Sequence, residues 1–153
     1  MDLRATLQAA TKDAMKAKDS ARLSTLRLIG AAIKDREIAA RGGDGDGTLG
    51  DGDLIAILSR MVKQRQESAK AYEEGGRLEL AQKEEAEIAV IQEFLPRQLS
   101  KAETEAAIDA AIAALGATGI RDMGRVMAEL RDRHAGQMDF AAVGPMVKAR
   151  LLN

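Results

Sequence analysis

An all-α fold in two helical parts, four helices followed by three, is what this chain predicts, and three observations predict it. Ala, Leu, Glu, Lys, Arg, Gln and Met dominate the composition, and these residues lose little side-chain freedom in a helix. Apolar residues recur at steps of three and four, the period of one helix face. No run of Val, Ile, Thr and Tyr alternates as a strand would.

The first helix is expected from about Asp2 to Lys18. Asp19 and Ser20 then offer an N-cap for a second helix, in which Leu23, Leu26, Ile29 and Ile33 share a face. It should end near Arg41, because Gly42-Gly43-Asp44-Gly45-Asp46-Gly47-Thr48-Leu49-Gly50-Asp51-Gly52 follows. Such a stretch loses too much backbone entropy to stay helical and reads as a mobile surface loop. Asp51 or Asp53 can accept the free amides of a third helix, with Leu54, Leu58, Met61 and Val62 inward. Gly75-Gly76 ends that helix. A fourth runs from about Arg77 to Phe94, with Leu78, Ala81, Ile88, Ile91 and Leu95 as its stripe, and Pro96 blocks continuation. So short a glycine turn predicts an antiparallel hairpin.

Ser100 with Glu103 forms a Ser-x-x-Glu capping box, so a new helix starts at Lys101, carries Ile108, Ile112 and Leu115, and stops at Gly116. Met123, Val126, Met127 and Leu130 mark a sixth helix, with Gly124 read as room for close packing. Asp139 caps a last one that presents Phe140, Val143, Val147 and Leu151. Residues 96–100 are the candidate junction, which predicts an N-terminal bundle over 1–96 and a small C-terminal helical domain over 97–153.

Composition narrows the function. At 153 residues, folding should bury about 68–70% of the unfolded surface, enough for a real core. With 46% hydrophobic and 31% charged residues and a formal charge of −1, the chain is neither a charge-expanded disordered polymer nor a strongly cationic nucleic-acid binder. Any anion-binding surface must be local. Aromatics are Tyr72, Phe94 and Phe140 only, too few for base-stacking platforms. Without cysteine there is no disulfide framework, thiolate zinc site or thiol nucleophile, which points to a reducing cytoplasm. The N-terminal residues begin an amphipathic pattern rather than a secretory signal. No apolar stretch approaches the ~20 residues that span a bilayer, so a soluble protein without a membrane partner is expected.

Catalytic and metal constellations find no anchor. An EF-hand beginning at Asp44 would need glycine where Leu49 stands and glutamate where Ile55 stands. No Gly-Lys-Ser or Gly-Lys-Thr follows the glycines, so no phosphate cradle forms. His134, the sole histidine, sits near a helix end, where it suits the helix dipole, and lacks a nucleophile partner. Glu73-Glu74 and Glu84-Glu85 lie on charged, solvated helix faces. No catalytic residue, cofactor or metal is expected.

Basic residues say more. The first two helices are cationic and the following hairpin acidic. Arg27, Lys34 and Arg41 form one ridge by spacing, and Arg60, Lys63 and Lys70 another on the third helix. Either could contact phosphates or pair with the acidic hairpin. A second basic group, Arg121, Arg125, Arg131, Arg133, Lys148 and Arg150, surrounds Met123-Gly124-Arg125-Val126-Met127, where arginines near a helix start suit a phosphate backbone.

Several of these segments together resemble a known family. Arg22-Leu23-Ser24-Thr25-Leu26-Arg27-Leu28 with Ala32-Ile33-Lys34 is similar to the opening signature of YqeY-like (GatB/YqeY) proteins. Lys63-Gln64-Arg65-Gln66-Glu67-Ser68 follows, then Tyr72 with Gly75-Gly76-Arg77, Leu80-Ala81 and Glu84-Glu85. Phe94-Leu95-Pro96-Arg97-Gln98-Leu99-Ser100 and Met123-Gly124-Arg125-Val126-Met127 complete the order over nearly the whole chain. The resemblance implies a helical bundle followed by a domain similar to the GatB tail of the aspartyl/glutamyl-tRNA amidotransferase. In that enzyme the tail contacts tRNA while other parts carry out glutamine-dependent carbon–nitrogen ligation. At Gly136-Gln137-Met138-Asp139-Phe140 the chain departs from the more polar Gly-Arg-Ala-Asp-Gly type. A noncatalytic accessory protein associated with tRNA or with the amidotransferase is therefore expected, with the C-terminal basic group contacting phosphates. The alternatives are a protein-interaction adaptor without RNA binding and an amidotransferase-like ligase component.

Overall fold

The computed structural model describes residues 2–43 and 47–152, and the chain divides into two compact units, Met1–Leu95 and Pro96–Asn153. The described residues form seven α-helices and no strand.

In the first unit, α1 (Leu3–Ala17) starts where the Asp2 carboxylate accepts the Ala5 amide at 3.1 Å. It ends on Lys18, which adopts the left-handed conformation at φ 56°. Asp19 accepts the Arg22 amide at 3.1 Å and so starts α2 (Ser20–Arg41) within one residue of that turn. The α1–α2 hairpin is pinned at its far end by an ion pair of 2.7 Å between Arg4 and Glu37. α3 (Asp51–Glu74) and α4 (Leu78–Gln92) form the second hairpin. The core of this unit joins Leu3, Leu7, Leu26, Ile29, Ile33, Leu54, Leu58, Met61, Ile88 and Ile91. At ~25 cal/mol per Å² of apolar surface, that burial holds the four helices together.

Three details depart from expectation. The loop reading covers residues 44–46, which lie outside the described residues, but Leu49 at its end is only 8% exposed and belongs to the core. An isolated leucine among glycines carries no periodic signal. Of the two candidate caps of α3, Asp53 serves it by accepting the Gly50 amide at 3.0 Å, while Asp51 accepts the Leu3 amide of α1 at 3.1 Å. Leu78, assigned to the α4 stripe, is 60% exposed, because the first turn of α4 lies at the hairpin tip beside Gly75 and Gly76, which offer no side chains to pack against. Finally, α4 stops at Gln92 rather than Phe94. Phe94 donates to the Ile91 carbonyl at 3.1 Å and Leu95 to that of Gln92 at 3.2 Å, the tightened last turn expected before Pro96, whose ring disfavours helix at the residue before it.

In the second unit, Ser100 and Glu103 make the reciprocal capping box: the Ser100 hydroxyl accepts the Glu103 amide at 3.1 Å, and the Glu103 carboxylate accepts the Ser100 amide at 3.0 Å. α5 (Lys101–Leu115) ends on Gly116 at φ 60°. A single 3-10 turn, Ile120–Asp122, which periodicity does not detect, leads into α6 (Met123–Arg133). α7 (Phe140–Leu152) contains Pro145, and the Asp139 carboxylate accepts the Ala141 amide at 3.1 Å before it. Ile108, Ala111, Val126, Met127, Leu130, Met138, Val143, Val147 and Leu151 form a separate core. Gly124 is not a close-packing site: a Cβ there would meet nothing within 4 Å, since helical phase turns it away from Val126, Met127 and Leu130.

Candidate nucleic-acid interface

The C-terminal basic group is dispersed by the fold and largely engaged within its own unit. Arg121 lies in the 3-10 turn and is exposed. Arg125 donates to Asp122 at 2.9 Å. Asp122 in turn accepts the Thr118 amide at 3.0 Å, and this backbone bond, more than Arg125, holds its carboxyl below the usual range. Arg133 pairs with Glu129 one turn earlier at 2.5 Å. Arg131 lies over the Phe140 ring at 5.7 Å. Arg150 pairs with Asp109 of α5. Lys148 is exposed on α7. The stretch after Leu95 holds eight basic and seven acidic side chains, so its field is nearly balanced.

A local polar lock accompanies this group. The His134 Nδ1 lies 3.1 Å from Gln137 Oε1, and the Gln137 Nε2 donates to the Arg97 carbonyl at 3.1 Å. Gln98 reaches the Gly136 carbonyl, and the Leu99 amide donates to that of Gln137 at 3.0 Å. Arg97 forks onto Glu103 at 2.8 and 2.9 Å, and that pair, with the Ser100 amide, pulls the Glu103 carboxyl down to about 2. His134 thus takes part in the turn between α6 and α7.

The first unit distributes charge differently. On α2 the buried stripe is Thr25, Leu26, Ile29 and Ile33, and helical phase puts Arg27, Lys34 and Arg41 on the opposite side. All three are exposed and none has an ion pair with a described carboxylate. The stem of Arg41 runs against Gly47, where a Cβ would lie 2.5 Å from Arg41 Cγ and where φ is +81°, so that position suits only glycine. On α3, Arg60, Lys63 and Lys70 are exposed as well, but Glu67 and Glu74 share their face, and Lys63 has a partner. Arg65, by contrast, turns inward onto Glu87 at 2.9 Å. Lys12 and Lys16 lie opposite the buried Leu3, Leu7 and Ala14 of α1. Grouping by single-helix spacing leaves these two out, because each ridge is drawn along one helix.

A shallow groove of about 320 Å³ runs between α1 and α2, floored by Leu7, Leu26, Ile29 and Ile33, with Arg4, Lys34 and Glu37 at its rim. No set of ionisable groups with displaced titration converges there: the shifted groups, Arg22, Arg97, Glu103 and Asp122, are all members of surface ion pairs. Among the described residues, no three metal-ligating side chains come together, and no helix is long and apolar enough to cross a membrane.

Comparison with known proteins bears on the whole chain. A family model described as Yqey-like protein matches residues 4–151. Altered inheritance of mitochondria protein 41, mitochondrial, of Lachancea thermotolerans is 32% identical over 99% of this chain and 80% of its own length. The proteins of the same name from Eremothecium gossypii and Vanderwaltozyma polyspora are 38% and 37% identical over 61% and 55% of this chain. Those matches span 49% and 43% of the relatives' own lengths. The relatives are mitochondrial by name, which contradicts the cytoplasmic location read from the lack of cysteine and of a secretory signal. A cysteine-free composition suits any reducing compartment and cannot single out the cytoplasm.

Proposed function

We propose, since this chain belongs to the YqeY-like family, that it is a noncatalytic accessory protein associated with tRNA or with the tRNA-dependent amidotransferase, and of the two we favour tRNA. It acts by contacting tRNA phosphates, and the glutamine-dependent carbon–nitrogen ligation belongs to a separate enzyme. The observation that carries this reading is the contrast within the surface: basic side chains stand exposed on both units, whereas the groups with displaced titration are held in structural ion pairs. In the C-terminal unit, Arg121 and Lys148 are the exposed cations best placed for a phosphate. Arg125, Arg131, Arg133 and Arg150 would first have to leave Asp122, Phe140, Glu129 and Asp109.

Phosphate contact of this kind is electrostatic, so its affinity falls with salt. Labelled tRNA titrated with the purified chain over a salt series should show saturable binding that weakens steadily with added salt. Affinity equal to that of a neutral control protein would end the proposal. Incubation with glutamine and misacylated tRNA, without other subunits, should give no amide product, and turnover would assign the ligase to this chain instead.

A further inference from the structure

We infer that the outward face of the α1–α2 hairpin is an RNA phosphate-binding surface, with Arg27, Lys34 and Arg41 as its spine and Lys12 and Lys16 beside it. The inference rests on the tRNA association proposed above and deepens it by moving the main contact to the first unit. The three spine residues recur every seven positions, so they line up along α2 over about 21 Å at 1.5 Å per residue. A duplex strand presents about six phosphates over such a length.

Three features separate this face from the other basic groups. Its cations are exposed and carry no ion pair with a described carboxylate, whereas Arg125, Arg133 and Arg150 are already paired. The carboxylates of the two helices are mostly committed elsewhere: Asp2 and Asp19 cap helix amides, Glu37 is held by Arg4, and helical phase turns Asp13 to the flank, which leaves Asp35 as the exposed carboxylate on the outward side of α2. Between Arg27 and Lys34 the helix is bare. Gly30 has open space where a Cβ would stand, and Ala31 is exposed and short, so a phosphodiester backbone can lie close to the helix.

An acidic protein is the competing occupant. Protein interfaces are rich in aromatic anchors and poor in lysine at their centres. This face has no aromatic residue, and the large apolar side chains exposed on its two helices are Met15, Leu28 and Ile38. Evenly spaced cations without anchors fit a uniformly charged backbone better.

The test uses the full chain, labelled tRNA and three variants, each checked for helix content: R27Q/K34Q/R41Q, K12Q/K16Q and R121Q/R125Q/K148Q. The spine variant should lose about tenfold or more in affinity at low salt, and its log–log salt slope should shrink by about 2–3, as expected for three lost phosphate contacts. K12Q/K16Q should show a smaller loss of the same kind, and R121Q/R125Q/K148Q less than the spine variant. A spine variant with the wild-type slope overturns the inference while leaving tRNA association intact if the wild type binds. A wild type that does not bind tRNA ends both. Poly-glutamate of matched charge should displace tRNA poorly; displacement as effective as that by unlabelled RNA would reassign the face to acidic proteins.

Discussion

Glu87→Ala tests how the long hairpin of the first unit is held. The Glu87 carboxylate of α4 accepts the Arg65 Nε proton of α3 at 2.9 Å, and Arg65 Nη1 also donates to the Met61 carbonyl at 3.2 Å. The two side chains are 16% and 17% exposed. Removing one partner of a fully buried pair costs about 3–5 kcal/mol, and removing an exposed one costs about 0.2–1 kcal/mol. A mostly but not fully desolvated pair falls between, at about 2 kcal/mol. With a urea dependence of about 1.5 kcal/mol per molar, the midpoint should drop by about 1.3 M. Tyr72 is the only tyrosine and tryptophan is absent, so tyrosine emission reports on α3 in the first unit. The double change R65M/E87L, which replaces the pair with apolar bulk, should return stability to within about 1 kcal/mol of the wild type. A Glu87→Ala shift below about 0.5 kcal/mol would refute the reasoning and mean that water satisfies the guanidinium as well as Glu87 does.

Other outcomes follow from the same contacts. Glu103 should titrate with a midpoint of about 2, against 4.5 for a free glutamate, by carboxyl carbon chemical shift. Because the unfolded chain takes up the proton first, the stabilisation from this group is whole above about pH 4.5 and is lost as pH falls toward 2; a midpoint near 4.5 would refute the Arg97 fork. Gly116→Ala, at φ 60° with open space around the new methyl, should cost about 1 kcal/mol from backbone strain alone, and Lys18→Gly, at φ 56°, should gain a similar amount, both read by thermal melting. Leu58→Ala, with the side chain fully buried, should lose about 2–5 kcal/mol in the tyrosine-monitored transition, and a loss under 1 kcal/mol would place Leu58 outside the core.

What could be read in advance follows the range of the interaction. The helix starts at Asp19 and Ser100 were legible because a cap and its amide lie three residues apart, and the stripes Leu54-Leu58-Met61-Val62 and Val143-Val147-Leu151 because one helix face repeats locally. Partners distant in the chain were not legible. Asp51 serves an amide 48 residues away, Arg150 meets an aspartate 41 residues away, and Leu49 is buried without any periodic neighbour. The same limit applies to the basic groups. Counting cations around Met123–Met127 could not show that Asp109 and Asp122 neutralise part of the set, whereas the seven-residue spacing of Arg27, Lys34 and Arg41 is a local property that survives folding.

Isolation of the chain at its native expression level, with its co-purifying molecules identified before and after ribonuclease, tests the central claim most directly. Bound tRNA should be recovered, and any amidotransferase subunit that accompanies it through the RNA should be released by the nuclease. Recovery of a protein partner that ribonuclease leaves in place, with no tRNA in the untreated sample, would contradict the tRNA role and make the chain a protein adaptor.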